Sequence, residues 1–410
     1  MLATRVLSRL QRSRVASAKR VQLAFRDFSS ETPADEASAE ESSVEAVVQA
    51  SIDVDAEGSV IASVPLTKLT AKDRLKFFPF AKEIQDKFVP EGINKRTETT
   101  FDLVGHRHMM LREPTQQIIS TLQNWETAKK DSSGAFLIDG DRGCGKTVAL
   151  QQIVQFARES EWLVLYVPTA RAWCFEAPYV IPSPYVEGKY DIDSYGVEVL
   201  ENFLHCHGEQ LRAVPLRGSY GDRYYPESFA AKPKDVSEYD ASTLTLRDLV
   251  VNGIRDEELA CAAVVDLRNE LAECTEFPVL VAVDEYNTWF GKTVFGYEGK
   301  DVKPGDISVI DALTDLREKG LVPGRKLKNG LFIAAITENF PTRVHFKKQV
   351  DYRAHRATMR PYTPEELKTV IAYYNQVHFL HDKPTDAELA YFRLMTKAVP
   401  LSVFDRASFS

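Results

Sequence analysis

Long apolar runs are missing from this sequence. No stretch approaches the roughly 18 uncharged apolar residues that a membrane-spanning helix requires, and the most apolar segments, such as Val279 to Val283, have the length of a strand. No transmembrane segment is expected. Cysteine is scarce: Cys144, Cys174, Cys206, Cys261 and Cys274 are an odd number without CxxC spacing, in a chain too long to need disulfide stapling. That usage points to a reducing compartment. His205, Cys206 and His207 are contiguous, and neighbouring residues cannot easily aim three side chains at one ion, so no metal is expected there. Acidic residues are absent before Asp27, whereas Arg5, Arg9, Arg12, Arg14, Lys19, Arg20 and Arg26 are basic and Leu2, Val6, Leu7 and Leu10 can form one apolar helical face. This is the composition of a mitochondrial transit peptide, assigned to residues 1–30, and it directs the chain to the matrix. A basic nucleic-acid-binding arm would not ordinarily carry that leucine-lined face.

Setting those seven cations aside turns the formal charge of −8 into about −15 for the remainder. A body so acidic can meet RNA only through local basic patches. From Glu31 to Gly58 the chain is rich in Ala, Ser, Glu and Asp and has no aromatic residue, too little apolar surface to offset chain entropy; residues 31–66 read as a disordered linker. Residues 67–106, with Phe77, Phe78, Phe80 and Phe88, read as an extension that packs on the main domain, 107–342. Pro, Gly, Tyr and charge crowd 178–239, which reads as an irregular insertion, and 343–410 as a basic segment followed by a helical C-terminal region.

Helical spacing (Ile118, Ile119, Leu122, Trp125) marks Leu111 to Thr127, and a short apolar strand follows at Gly134 to Ile138. Val148 to Ala157 then reads as a helix and Trp162 to Val167 as a buried strand ended by Pro168. Helical periodicity returns from Leu244 to Leu271. Two more strands, Val279 to Val283 and Leu331 to Ile336, end at Asp284-Glu285 and at Thr337-Glu338-Asn339. Strands alternating with helices predict an α/β fold, a three-layer parallel sheet with ligands at its carboxyl edge.

Between the first strand and its helix stands GDRGCGKT, Gly140, Asp141, Arg142, Gly143, Cys144, Gly145, Lys146 and Thr147, which fits GxxxxGKS/T at every fixed position. The glycines let backbone N–H groups converge on phosphate oxygens, Lys146 brings a point charge to the outer phosphates, and Thr147 can place its hydroxyl on Mg²⁺. This is a Walker A phosphate loop. VLVAVDEY delivers Asp284 to the sheet edge, where a carboxylate can hold the magnesium shell, with Glu285 placed to polarise an attacking water. Thr337 or Asn339 resembles the polar sensor of AAA-like ATPases, whose strand lies between the two motif strands. Cys144, among loop N–H groups, is expected to have a lowered pKa and to be an oxidation-sensitive block on binding. Base identity is open: the only Asn-Lys pair, Asn94-Lys95, precedes the phosphate loop and lacks the Asp of guanine-reading loops, so the residues leave GTP, GDP and ATP as alternatives. No residue can be singled out as an arginine finger. Arg343, Lys347, Lys348, Arg353, Arg356 and Arg360 face one acid, Asp351, and form a patch for rRNA phosphate or an acidic protein surface.

FLIDGDRGCGKTVALQQIVQFARESEWLVLYVP, VLVAVDEYNTWFGKT and RPYTPEELKTVIAYYNQVHFL, with MLREP ahead of them, resemble the death-associated protein three family of mitochondrial small-subunit ribosomal proteins, from about Arg107 to the C-terminus. The resemblance implies an AAA-like P-loop fold in a structural component of the ribosomal head, holding a guanine nucleotide with Mg²⁺ and touching small-subunit proteins and large-subunit proteins across the interface. Glu285 departs from the small residue of animal members, which makes slow NTP hydrolysis more plausible here. The competing expectation is a free matrix ATPase of AAA-like type that remodels proteins.

Overall fold

The computed structural model describes residues 59–409 apart from 131, 234–237, 318–319, 339–354 and 383. The transit-peptide expectation, most of the linker, Asn339 and four of the basic residues (Arg343, Lys347, Lys348 and Arg353) therefore lie outside the described residues.

Runs of five or six apolar residues, too short for a buried helix and rich in Val, Ile and Leu, form a sheet covered on both faces. Its strands are β1 (Ala135–Gly140), β2 (Leu163–Val167), β3 (Val279–Val283), β4 (Gly330–Ala335) and β5 (His355–Met359), all parallel, in the order β5-β1-β4-β3-β2. The strand ended by Thr337 thus lies between the two motif-bearing strands, β1 and β3, as expected of the AAA-like branch. Every residue of β2, β3 and β4 is buried. Alternate residues divide between the faces. Ile138, Val164, Leu280, Ala282, Leu331 and Ile333 share a core with Leu150, Ile153, Val154 and Phe156 of the helix after the phosphate loop.

The helices of the extension are α1 (Lys82–Phe88) and α2 (Lys95–Val104), and α3 (Glu113–Gln123) leads to the sheet with Pro114 in its first turn. Phe78, Phe80, Ile84 and Phe101 join the same core as the sheet. Arg158, at the end of α4 (Lys146–Glu159), reaches back 2.6 Å to Glu91, both side chains almost fully buried. Residues 59–66, the tail of the expected linker, are placed: the Ala62 N–H donates to Phe77 O at 2.9 Å, and Leu66 is buried.

The stretch read as irregular holds a 15-residue helix, α5 (Asp193–His207), packed on α6 (Leu246–Arg255) and α7 (Glu257–Glu273). Its apolar stripe of Val199, Leu200 and Phe203 is interrupted by Gly196, and the surrounding Pro and Tyr residues hide the period. The single periodic segment from Leu244 to Leu271 is two helices, because Asp256 leaves helical geometry and its side chain accepts the Glu258 N–H as an N-cap. The C-terminal region forms α8 (Pro364–Gln376), α9 (Asp386–Thr396) and α10 (Pro400–Ala407); Thr363 with Glu366 and Thr385 with Glu388 make capping boxes.

Candidate functional site

The phosphate loop is shaped by what its glycines permit. A Cβ on Gly140, at φ +139°, would stand 2.0 Å from the Met359 carbonyl oxygen, so the end of β1 can pass β5 only without a side chain. Gly145, at φ +89°, starts α4 from the left-handed region, and a Cβ there would meet nothing within 4 Å. Its glycine answers to backbone conformation alone, and it faces open space at a helix N-terminus, where unpaired N–H groups and the helix dipole favour an anion.

Lys146 is buried and its ammonium donates to the carbonyls of Gly140 at 2.7 Å and Asp141 at 2.8 Å, which stations the charge over the loop. Thr147 donates its hydroxyl to Asp284. The Asp284 N–H continues the β2–β3 ladder to Val167 O at 2.9 Å, and its Oδ1 accepts the Glu285 N–H at 2.7 Å. Burial pushes the Asp284 carboxyl up to about 6, against the opposing effect of Thr147, the Glu285 N–H and Lys146. Glu285 is itself raised to about 7, by burial and by Asp284, while Arg171 pulls it down. It sits at φ +55°, and its Oε2 is buried with no hydrogen-bond partner. A non-glycine residue in that region carries strain, here paired with an unsatisfied acid oxygen beside the Gly140 to Thr147 loop.

Thr337 is held by Asn287: the side-chain amide donates to Thr337 O at 2.9 Å and accepts the Thr337 N–H at 2.8 Å, fully buried. The next residue, Glu338, accepts the Arg142 N–H of the phosphate loop at 2.9 Å. Arg112 is the hub on the opposite side. Its guanidinium forms a fork on Glu366 (2.8 and 2.9 Å) and donates to Cys144 O at 2.9 Å and Arg360 O at 2.8 Å, both charged side chains being over 90% buried. The loop is thereby fastened to the start of α8.

A cleft of about 530 Å³ is lined by Arg142 to Thr147, Asp284, Glu285, Thr337 and Glu338. Thr97, Thr100, His106, His108 and Tyr373 line it as well. His108 Nδ1 lies 3.1 Å from the Tyr373 hydroxyl, and its Nε2 is buried without a partner. Burial, then His106, pushes this imidazole down to about 4, so it is neutral at physiological pH and offers one ring nitrogen.

One expectation is corrected. Cys144 is fully buried, and burial raises its thiol above the ordinary value even with Lys146 nearby, so it is not a reactive thiolate. Arg356, of the basic segment, is part-buried and pairs with Asp139 at 3.1 Å. Contiguity also dispersed the His205-Cys206-His207 trio: His205 meets Asp86 O, Cys206 meets Lys87 O, and His207 accepts the Val164 N–H. Arg112, Asn287, Glu338 and His108 were not assigned from sequence, because their partners lie up to 265 residues away.

Comparison with known proteins follows the same core. Small ribosomal subunit protein mS29 of Bos taurus is 22% identical over 311 residues, covering 72% of this chain and 73% of the relative, and that of Mus musculus is 22% identical over 319, covering 73% and 76%. Among solved structures, the Aeropyrum pernix ORC2 protein in its ADPNP-ADP complexes aligns with a TM-score of 0.31 at 14% identity, over 72% of this chain and 59% of that one. The family described as mitochondrial ribosomal death-associated protein 3 matches residues 109–393, from the strand that carries His108 and Met110 almost to the end of α9, and the chain belongs to that family.

Proposed function

We propose that this chain is a structural component of the small subunit of the mitochondrial ribosome and that its cleft holds a guanine nucleotide with Mg²⁺. The family match over 109–393, with the loop, Thr147 and Asp284 all in one cleft, carries the reading. The residues fit such a group: an open helix N-terminus for phosphate, Lys146 for its charge, and Thr147 with Asp284 as oxygen ligands for a hard cation. The bound cation would neutralise phosphate charge; the chain's own part is to position the nucleotide and to exclude water from it. The choice of guanine over adenine rests on the family.

Glu285, with its unpartnered oxygen, favours a second reading in which the nucleotide turns over slowly. An ion-paired or solvated strand cap would leave no such orphan.

Sedimentation separates the ribosomal component from a free ATPase. The full chain should comigrate with mitochondrial small subunits through moderate salt. Migration as a free ring-sized oligomer that hydrolyses ATP would replace the proposal with the remodelling enzyme.

A further inference from the structure

Away from the nucleotide cleft, three segments meet around a buried concentration of negative groups. Asp191 closes the short strand Tyr190–Asp191, Asp193 opens α5, and Cys261 lies near the start of α7. Relative exposures are 0%, 6% and 0%, and one potential ligand atom from each lies within 4.8 Å of the other two. The helices are pressed together here: a Cβ on Gly196 would stand 2.9 Å from Cys261 N. Such close approach keeps water out and holds the thiol against the carboxylates.

Hydrogen bonding leaves this cluster incomplete. Asp191 Oδ1 accepts the Ser308 hydroxyl and the Ser183 hydroxyl also interacts with this carboxylate, yet Asp191 Oδ2 and Asp193 Oδ1 are buried with no close hydrogen-bond partner. Neither carboxylate forms an ion pair with a basic side chain among the described residues. The acids flanking α7, Asp256, Glu257 and Glu258, add charge of the same sign. Two carboxylates out of water, each with an oxygen unsatisfied, are costly unless a cation or protons compensate them.

We propose that Asp191, Asp193 and Cys261 form a structural site for one Zn²⁺ ion, closed by the Ser308 hydroxyl or a water. One soft sulfur with two hard oxygens suits a borderline ion without geometric demands of its own, whereas Mg²⁺ or Ca²⁺ would require an all-oxygen shell. Tetrahedral ligation at about 2.0–2.3 Å places ligand atoms about 3.3–3.8 Å apart, so rotations that move side-chain ends by about 1 Å complete the site. The ion would clamp the insertion helix α5 to α7 and to the short helix Ser308–Leu313. This site is independent of the nucleotide cleft.

The test is metal content of the full chain, purified through a tag without histidine and dialysed against low-micromolar zinc. About one zinc per chain is expected, lost in Asp193→Asn and in Cys261→Ser, with a chelator-induced fall in the unfolding temperature of the wild type alone. Replacement by Co²⁺ should give a thiolate-to-metal absorption band that Cys261→Ser abolishes. Folded wild-type chain without zinc and indifferent to chelator overturns the proposal; so does zinc retained undiminished by both substitutions, which would place the ion elsewhere. Should either variant fail to fold, the wild-type metal content and the cobalt band still decide.

Discussion

Lys146 and Arg112 are the two buried cations that meet at the phosphate loop, and they have different work to do. On the proposed function Lys146 supplies the charge that a phosphate group requires, so Lys146→Ala should reduce nucleotide affinity by about tenfold or more, and because the carbonyls of Gly140 and Asp141 lose their donor it should also lower the unfolding temperature of the ligand-free chain, as read by equilibrium binding and thermal melting. Arg112 instead satisfies Glu366 and a loop carbonyl. Removing one member of such a pair leaves an uncompensated buried charge, so Arg112→Met should cost about 3–5 kcal/mol, and Arg112→Met with Glu366→Leu should recover much of it in a denaturant titration. No recovery in the double variant would assign the cost to the Cys144 and Arg360 carbonyls and to the capping box that Glu366 makes with Thr363. His207 adds a pH dependence. Burial, then Arg158, pushes its imidazole from 6.5 down to about 3, so below pH 6.5 the unfolded chain takes up a proton that the folded chain refuses. Its contribution to stability is complete above 6.5 and fades as pH falls toward 3. His207→Gln should therefore flatten the stability profile between pH 6.5 and 4; an unchanged slope there would mean the imidazole is not held neutral. The phosphate loop was legible because its eight residues are contiguous and stand between a strand and a helix. Arg112 was not, since nothing in MLREP says that its partner lies 254 residues away.

At the scale of elements, β4 separates the strands that carry Lys146's loop and Asp284, and Thr337, two residues past its end, is held at the cleft by a side chain on neither β1 nor β4. Asn287, on the turn after β3, uses both faces of its amide to fix Thr337. Asn287→Ala would orphan a buried N–H and C=O together and should destabilise by about 2–4 kcal/mol; if Thr337 orients the outer phosphate, affinity for the triphosphate should fall more than affinity for the diphosphate, measured side by side. Four of the sheet's strands were read nearly residue for residue, because short buried runs bounded by Pro, Gly or acids have few other meanings, whereas β5, whose run carries His355 and Arg356, was read as part of a basic segment. Helix α5 escaped: its stripe is broken by Gly196, which the close packing on α7 demands but which weakens the periodic signal. The break at Asp256 was likewise hidden, since apolar periodicity continued across a capping acid on both sides.

Across the whole molecule, the extension, the sheet and the C-terminal helices converge on one cleft. Residues before α3 and the sheet's carboxyl edge both line it, and Arg112 pins α8 against the loop. A ligand in that cleft would contact three parts of the chain at once, which suits a nucleotide retained to hold a fold together within a larger particle. Sequence could place the loop of this arrangement; it could not place His108 beside Tyr373, which only the docking of α8 brings together. The most direct measurement is the nucleotide content of mitochondrial small subunits isolated through this chain and then denatured. Close to one guanine nucleotide per chain is predicted, falling to none with Lys146→Ala; subunits that contain the wild-type chain and release no nucleotide would contradict the account.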